Sequence, residues 1–301
     1  MTEPDTLDKR AIRRSFERAA QTYDAAAVLQ REICDRMLER LDIMRLQPKT
    51  LLDLGSGTGE GTRVLRQRYP ESDVIALDLA LTMLQQGRAK MSSWKDRLPW
   101  SKPSVRHVCA DADALPLKSS SLDMIWSNVT LQWCNNLENT FGEFYRALHP
   151  GGLLFFSTFG PDTLKELRTV FADLDGYPHV SRFVDMHDIG DALSHSGFAA
   201  PVMEMECLTL TYADLRSMLK ELKDIGAHNA TVGRRHGLMG RGEWLALQQA
   251  YERFRRDGRL PATFEVIYGH AWVPEQKRSK LDDGRQIIRF NIEQRRARHG
   301  V

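Results

Sequence analysis

The chain has 301 residues, 42% hydrophobic and 27% charged, with a formal net charge of +2 at pH 7. That length fits one domain carrying an insertion or cap, the apolar share is enough for a core, and so small a net charge gives no global field to hold nucleic acid. Cys34, Cys109, Cys134 and Cys207 are dispersed with no CxxC pair, the first residues are polar and acidic, and no run of ~18 apolar residues occurs; this excludes a zinc or disulfide framework, a signal peptide and a membrane span, and leads to the expectation of a metal-free cytoplasmic enzyme.

Apolar residues recur at helical spacing through residues 7–46, first at Ile12, Phe16, Ala19, Ala20 and Tyr23, then at Leu29, Ile33, Met37 and Leu41. The spacing predicts N-terminal helices over residues 1–46. Residues 50–54 are a short apolar run that ends in glycines, the pattern of a buried parallel strand feeding a tight turn. A helix is expected over 59–69 with Pro70 closing it, then a strand at 73–78 and a helix at 81–90. Strands at 105–110 and 122–127, a helix at 137–148, a turn at 150–152, a central strand at 153–159 and a helix at 185–196 continue the alternation. Strand then helix in this order predicts an α/β fold, a mostly parallel sheet with helices on both faces. Residues 202–211 alternate like an edge strand, and 263–272 return as the last of seven strands. Between them, 212–258 read as a helical lid with a glycine-bearing loop at 226–240. The sheet domain therefore comprises 47–211 and 259–273, and the charged tail 274–301 is expected to be mobile.

Ligands of open α/β sheets bind at the carboxyl ends of the strands. The loop Asp53-Leu54-Gly55-Ser56-Gly57-Thr58-Gly59 lies there, and Asp78 ends the next strand, where a carboxylate can accept from both hydroxyls of a ribose. The spacing is GxGxG rather than the GxGxxG of dinucleotide sites. An acid at the strand end suits a cationic cofactor and opposes a pyrophosphate. Asp111-Ala112-Asp113-Ala114-Leu115-Pro116 follows the third strand, and its carboxylate is placed to meet an adenine amino group.

Loop, strand-end acid and second acidic loop resemble the Rossmann-like class I methyltransferases, whose cofactor is S-adenosylmethionine (SAM). The expected cofactor contacts are Asp53, Gly55, Ser56, Gly57 and Gly59 in the loop. Asp78, Leu79 and Met83 follow the second strand, Asp111 and Ala112 the third, and Asn128 the fourth. The resemblance narrows at residues 16–24, at Ser127-Asn128-Val129-Thr130-Leu131-Gln132-Trp133-Cys134, and at residues 157–161. It continues at His179-Val180-Ser181-Arg182-Phe183 and Gly226-Ala227-His228-Asn229. These segments resemble the biotin-pathway malonyl-acyl-carrier-protein O-methyltransferases over about residues 12–273. The resemblance implies methylation of the free carboxylate of a malonyl thioester on acyl carrier protein or CoA, which disguises malonyl as a primer for pimelate synthesis. Ser56 stands where the family often has cysteine, and His149 where it has another basic residue.

A malonyl carboxylate is already ionised near neutral pH and is itself the nucleophile, so positioning replaces base catalysis. A planar guanidinium matches a carboxylate. Arg182 is the expected clamp, the alternative being a salt bridge to Asp185, with Arg234 and Arg235 as second candidates. Tyr23 is expected to close over the reacting groups, and Gln132 and Trp133 to line the pocket. His179 is expected to bind substrate, and His228 to have a hydrogen-bonding or structural role. An acidic carrier needs cations at the pocket mouth; Arg216, Lys220 and Lys223 share a helix face, and Arg234 and Arg235 follow. Two rival readings remain beside that of a carrier-binding scaffold without catalysis, which the intact Asp53, Gly55, Gly57 and Asp78 oppose. One is methylation of another small acid or a quinone precursor. The other is a protein-arginine hydroxylase of the complex I assembly type, which favours histidine where Gln132 stands.

Overall fold

The computed structural model describes residues 6–91, 105–235 and 237–275. Its sheet runs in the order β3-β2-β1-β4-β5-β7-β6. The strands are β1 (Thr50–Leu54), β2 (Asp73–Asp78), β3 (Val105–Cys109), β4 (Leu122–Ser127), β5 (Leu148–Phe159), β6 (Ala199–Tyr212) and β7 (Leu260–Trp272). All neighbouring pairs from β3 through to β5 are parallel. Only β7 is reversed, antiparallel to both β5 and β6. The expected seven-stranded, mostly parallel sheet is therefore present. The strand order reverses between β1 and β4, and there the crossing connections leave a crevice at the carboxyl ends.

Period-two patterning explains why the strands read as continuous apolar runs. Leu51, Met124, Trp126 and Phe155 face one core, while Leu52, Leu54, Ile125 and Phe156 face the other. Both faces are thus covered, as a parallel sheet requires. The edge strand β6 presents Glu204 and Glu206, which pair with Arg40 and Arg36 of helix α3 (Val28–Leu41).

Before α3 come α1 (Lys9–Ala19), capped by the Asp8 side chain, and the single turn α2 (Tyr23–Ala26). The sheet helices follow: α4 (Glu60–Arg68), α5 (Leu81–Met91), α6 (Leu137–Ala147) and α8 (Met186–His195). A helix that the pattern did not give, α7 (Lys165–Ala172), lies between β5 and α8. Two further differences are longer strands. β5 begins at Leu148 and runs through the expected turn, with a register shift opposite Leu122 and Met124. β6 begins at Ala199 with a shift before Val202. The insertion before β7 carries α9 (Leu215–Asp224) and α10 (Arg241–Glu252). The charged tail lies outside the described residues beyond Glu275. Among the described residues no helix is long and apolar enough to cross a membrane, and no cluster of metal-ligating side chains occurs. All four cysteines are free.

Candidate active site

The glycine loop hangs from the next strand: the N–H groups of Gly55 and Ser56 donate to the Leu77 carbonyl at 2.8 and 3.0 Å. Gly55, Gly57 and Gly59 all have positive φ, at +71°, +52° and +90°. Gly55 is also sterically required, since a Cβ there would lie 2.0 Å from Thr130 Oγ1. Gly57 differs, because a Cβ on it would meet only Tyr23 Cε1, at 3.9 Å. Its backbone therefore faces open space. Asp78 closes the loop from β2: its Oδ2 accepts from the Gly57 N–H at 2.9 Å and its Oδ1 from the Ala80 N–H at 2.8 Å.

Two recesses border this loop, and a third cavity meets them at Tyr23. A narrow slot of about 80 Å³ is bounded by Gly55, Gly57, Asp78, Leu79, Met83, Asp111, Ala112, Asn128 and Trp133. A second recess, about 150 Å³, is lined by Asp53, Ser56, Gly57, Thr58, Asn128, Gln30, Arg31 and Lys90. A larger cavity of about 340 Å³ is mostly apolar, walled by Phe16, Phe159, Leu167, Phe171, Phe183, Leu222 and Phe264, with Gln132, His179, Lys223, His228 and Asn229 among its few polar groups. Tyr23 lines all three.

These recesses fit SAM. The narrow slot offers apolar walls with a carboxylate at Asp78 for a ribose and one at Asp111 for an adenine. The second recess offers Asp53 toward an ammonium group and Arg31 toward a carboxylate. Arg31 was not singled out from the sequence; its guanidinium donates to the Asp24 carbonyl at 2.5 Å and stays at the recess. Lys9 was also missed. Its ammonium bridges Asp111 and Asp113 at 2.8 Å each, tying α1 over the slot. Gly59 does not line any of the three recesses and serves as the N-cap of α4.

Asp53 is almost fully buried and accepts from the Thr62 hydroxyl at 2.5 Å. Burial pushes its carboxyl up to about 7, aided by the nearby Asp78 charge and opposed by Thr62. Burial likewise raises Asp78 to about 6 against its backbone hydrogen bonds. Both groups hold protons below these values in the free protein, whereas a cation at Asp53 favours the ionised form. Cofactor affinity is therefore expected to rise as pH increases from about 5.5 to 7.5, with protons released on binding. Titration calorimetry in buffers of differing ionisation enthalpy measures this, and a flat profile would contradict it.

The segment after β4 is held by strain. Val129 has φ +50°, a conformation that a β-branched residue avoids. Its N–H donates to Ser157 Oγ at 3.0 Å and to the Ser157 carbonyl at 3.1 Å, and its own carbonyl accepts from Gln132 Nε2 at 2.7 Å. Asn128 donates to the Gln30 carbonyl and accepts from Ser157 Oγ, both at 2.9 Å. The Asn128 to Trp133 run is thus a scaffold. Gln132 lines the cavity but spends its amide N–H on the Val129 turn, while its Oε1 accepts from Thr158 at 3.3 Å. Trp133 meets Phe16 edge-on, with ring centroids 5.3 Å apart, and so walls both the slot and the cavity.

None of the expected arginine clamps lines the large cavity. Arg182 is exposed and lines an outer groove beside Gln132 and Phe183, while its neighbours Ser181 and Phe183 line the cavity. Arg235 bridges Glu243 at 2.9 Å and Asp175 at 3.4 Å, and Arg234 reaches Asp8 at 3.6 Å and the Thr231 carbonyl at 2.8 Å. Both tie the lid loop to its surroundings. His179 stacks on Phe171, with ring centroids 3.7 Å apart, and its Nε2 is bonded to Asp175 at 2.9 Å. Lys220 is exposed and paired with Asp224 at 2.5 Å. Lys223 is exposed at the cavity edge and has no ion pair among the described residues. His228 lies at the same cavity, and burial, with Arg18 and Lys223 nearby, holds its imidazole below the usual range, which favours the neutral form.

Comparison with known proteins adds the following. Residues 52–156 match the family model described as a methyltransferase domain. The malonyl-[acyl-carrier protein] O-methyltransferase of Laribacter hongkongensis is 55% identical over 294 residues, covering 97% of this chain and 98% of that one. Its counterpart from Gallionella capsiferriformans is 56% identical over 286 residues, covering 95% and 97%. Among solved structures, the YcgJ protein of Bacillus subtilis shares the fold at a TM-score of 0.55 and 15% identity, over 80% of this chain and 98% of that one.

Proposed function

Since this chain belongs to the malonyl-[acyl-carrier protein] O-methyltransferase family, we propose that it transfers a methyl group from SAM to the free carboxylate of malonyl carried on acyl carrier protein. The observation that carries this reading is the junction at Tyr23, where a charge-poor acyl cavity opens onto the cofactor recesses. The expected product is a malonyl methyl ester that primes pimelate synthesis for biotin, made in the cytoplasm, a reducing compartment that suits the four free cysteines.

The bound cofactor supplies an electrophilic methyl group on a sulfonium, which leaves as a neutral thioether. The nucleophile is the carboxylate, ionised at neutral pH, so no base is needed. Anion and cation thus become two neutral groups, and the apolar walls of Phe159, Phe183 and Leu222 favour that loss of charge. A guanidinium at the reacting carboxylate would stabilise the starting anion more than the transition state and slow the step. The placement of Arg182 in the outer groove suits capture of the incoming carboxylate rather than clamping during reaction. Inside, Tyr23, the neutral His228 and Asn229 can orient the anion as uncharged donors. Asp78 and Asp111 hold the nucleoside, and Asp53 the ammonium.

The test is methyl-ester formation from malonyl-carrier protein compared with malonyl-CoA and free malonate. The carrier substrate is expected to give the highest kcat/KM. Equal rates on free malonate would refute the carrier assignment. Restored growth of a biotin-requiring strain that lacks this methyltransferase is the matching result in cells.

A further inference from the structure

The cavity needs a mouth, and the surface charges around it are unevenly used. Phe16 of α1, Lys223 in the last turn of α9, and His228 beyond it all line the cavity. The turn after α9 packs on α1: a Cβ on Gly226 would lie 3.0 Å from Phe16 Cδ1 and 3.2 Å from Ala19 Cβ. The Thr22 hydroxyl donates to the Asp224 carbonyl at 2.8 Å across the same seam. Arg10, Arg14 and Arg18 follow one another at four-residue steps on α1, so they share a face and span about 12 Å. All three are exposed, and none has an ion pair among the described residues. Arg13, beside them, is paired with Glu17 at 2.9 Å. Like charges at this spacing repel by a few tenths of a kcal/mol per pair. A row left unpaired next to a cavity mouth has the character of a surface awaiting an anion.

We propose that the Arg10, Arg14 and Arg18 row of α1 is the docking surface for the acidic carrier protein, and that Arg18 and Lys223 receive the phosphate of its phosphopantetheine arm at the mouth. The surface extends the sequence expectation and relocates its centre. Lys223 keeps its place, whereas Lys220 is engaged by Asp224, and Arg234 and Arg235 by Asp8, Asp175 and Glu243. This assignment rests on the malonyl-carrier reading above. It implies that α1 does two jobs, covering the cofactor slot through Lys9 and meeting the carrier on its outer face.

Two double variants test it, with malonyl-carrier protein, malonyl-phosphopantetheine and malonyl-pantetheine as substrates. Arg10→Glu with Arg14→Glu is expected to raise KM for the carrier substrate about tenfold at low salt, to converge on the parent enzyme at high salt, and to leave malonyl-pantetheine turnover unchanged. Arg18→Ala with Lys223→Ala is expected to erase the KM advantage of the phosphorylated arm over the unphosphorylated one. An unchanged KM for the carrier in the first variant overturns the proposal. So does an equal loss on malonyl-pantetheine, or a larger effect from Arg216→Glu with Lys220→Glu on the lid face. If the parent enzyme methylates none of the three substrates, the malonyl reading itself fails, a result separate from any of these.

Discussion

Asp78→Ala should raise the dissociation constant for SAM by about a hundredfold or more. Among the described residues the carboxylate is the only side chain that fastens the glycine loop to β2, through Gly57 at 2.9 Å, and it also fixes the turn into α5 through Ala80 at 2.8 Å. Hydrogen bonds to a charged group contribute roughly 1.5–3 kcal/mol each, and about 1.4 kcal/mol is tenfold in affinity. Removing the carboxylate loosens the one stretch of backbone, at Gly57, that faces open space toward the cofactor. It also takes away the acceptor proposed for the ribose. Loss of fold must be separated from loss of binding, and the raised pKa provides the means. Because the folded value is about 6, above the ordinary carboxylate value, the group favours folding when protonated and that contribution fades as pH rises through 6. Asp78→Asn removes this ionisation while keeping an acceptor. It keeps one of the two backbone hydrogen bonds, so its thermal midpoint at pH 8 should lie closer to the parent's than that of Asp78→Ala, yet its affinity for SAM should still fall. Calorimetry and thermal unfolding on the two variants check this. Unchanged affinity in Asp78→Ala would remove Asp78 from the cofactor site.

The contrast between Asp78 and Arg182 shows what the residues reveal before folding. Asp78, Gly55 and Gly57 were legible because strand patterning puts them at known ends of a sheet, and a glycine loop there has few other uses. The sheet itself was legible because residues such as Leu51 and Leu52 alternate between two cores. Arg182 was placed by its segment after the central strand and by the match of guanidinium to carboxylate, and nothing in spacing says which way a loop residue faces. The same holds for Arg235, whose partner Asp175 lies sixty residues away in the chain. Val129 was unreadable, since a positive φ at a valine runs against its own preference and is imposed by Ser157 and Gln132. Asn128 was singled out for the cofactor and Gln132 for the pocket wall, and the bonds they make hold a turn. The docking role proposed for α1 has no counterpart in the sequence reading, which took the helix by its apolar spacing at Ile12, Phe16 and Ala19 and did not weigh Arg10, Arg14 and Arg18. Only the fold brings Arg18 beside Lys223.

Tyr23→Phe should lower kcat about tenfold to a hundredfold while changing the affinity for SAM by less than about threefold. Tyr23 lines the slot, the recess and the acyl cavity together, and its hydroxyl has no hydrogen-bond partner among the described residues. Burial, with Asp78 and Asp24 nearby, pushes the phenol above its ordinary value, so it remains a neutral donor throughout the working pH range. A neutral donor is what this reaction favours. Bound to the carboxylate oxygen that becomes the ester carbonyl, it can stay in place from start to finish and aim the other oxygen at the methyl group. A cationic donor in the same place would be lost in strength as the charge disappears. The predicted loss is about 1.4–2.7 kcal/mol of barrier, an ordinary amount for one positioning contact. Tyr23→Ala separates the hydroxyl from the ring, since it should also open the junction and weaken SAM binding. Full kcat in Tyr23→Phe would leave the residue as a wall between the recesses. A kcat that fell with pH between 7 and 9 through titration of this phenol would contradict its assignment as a neutral donor.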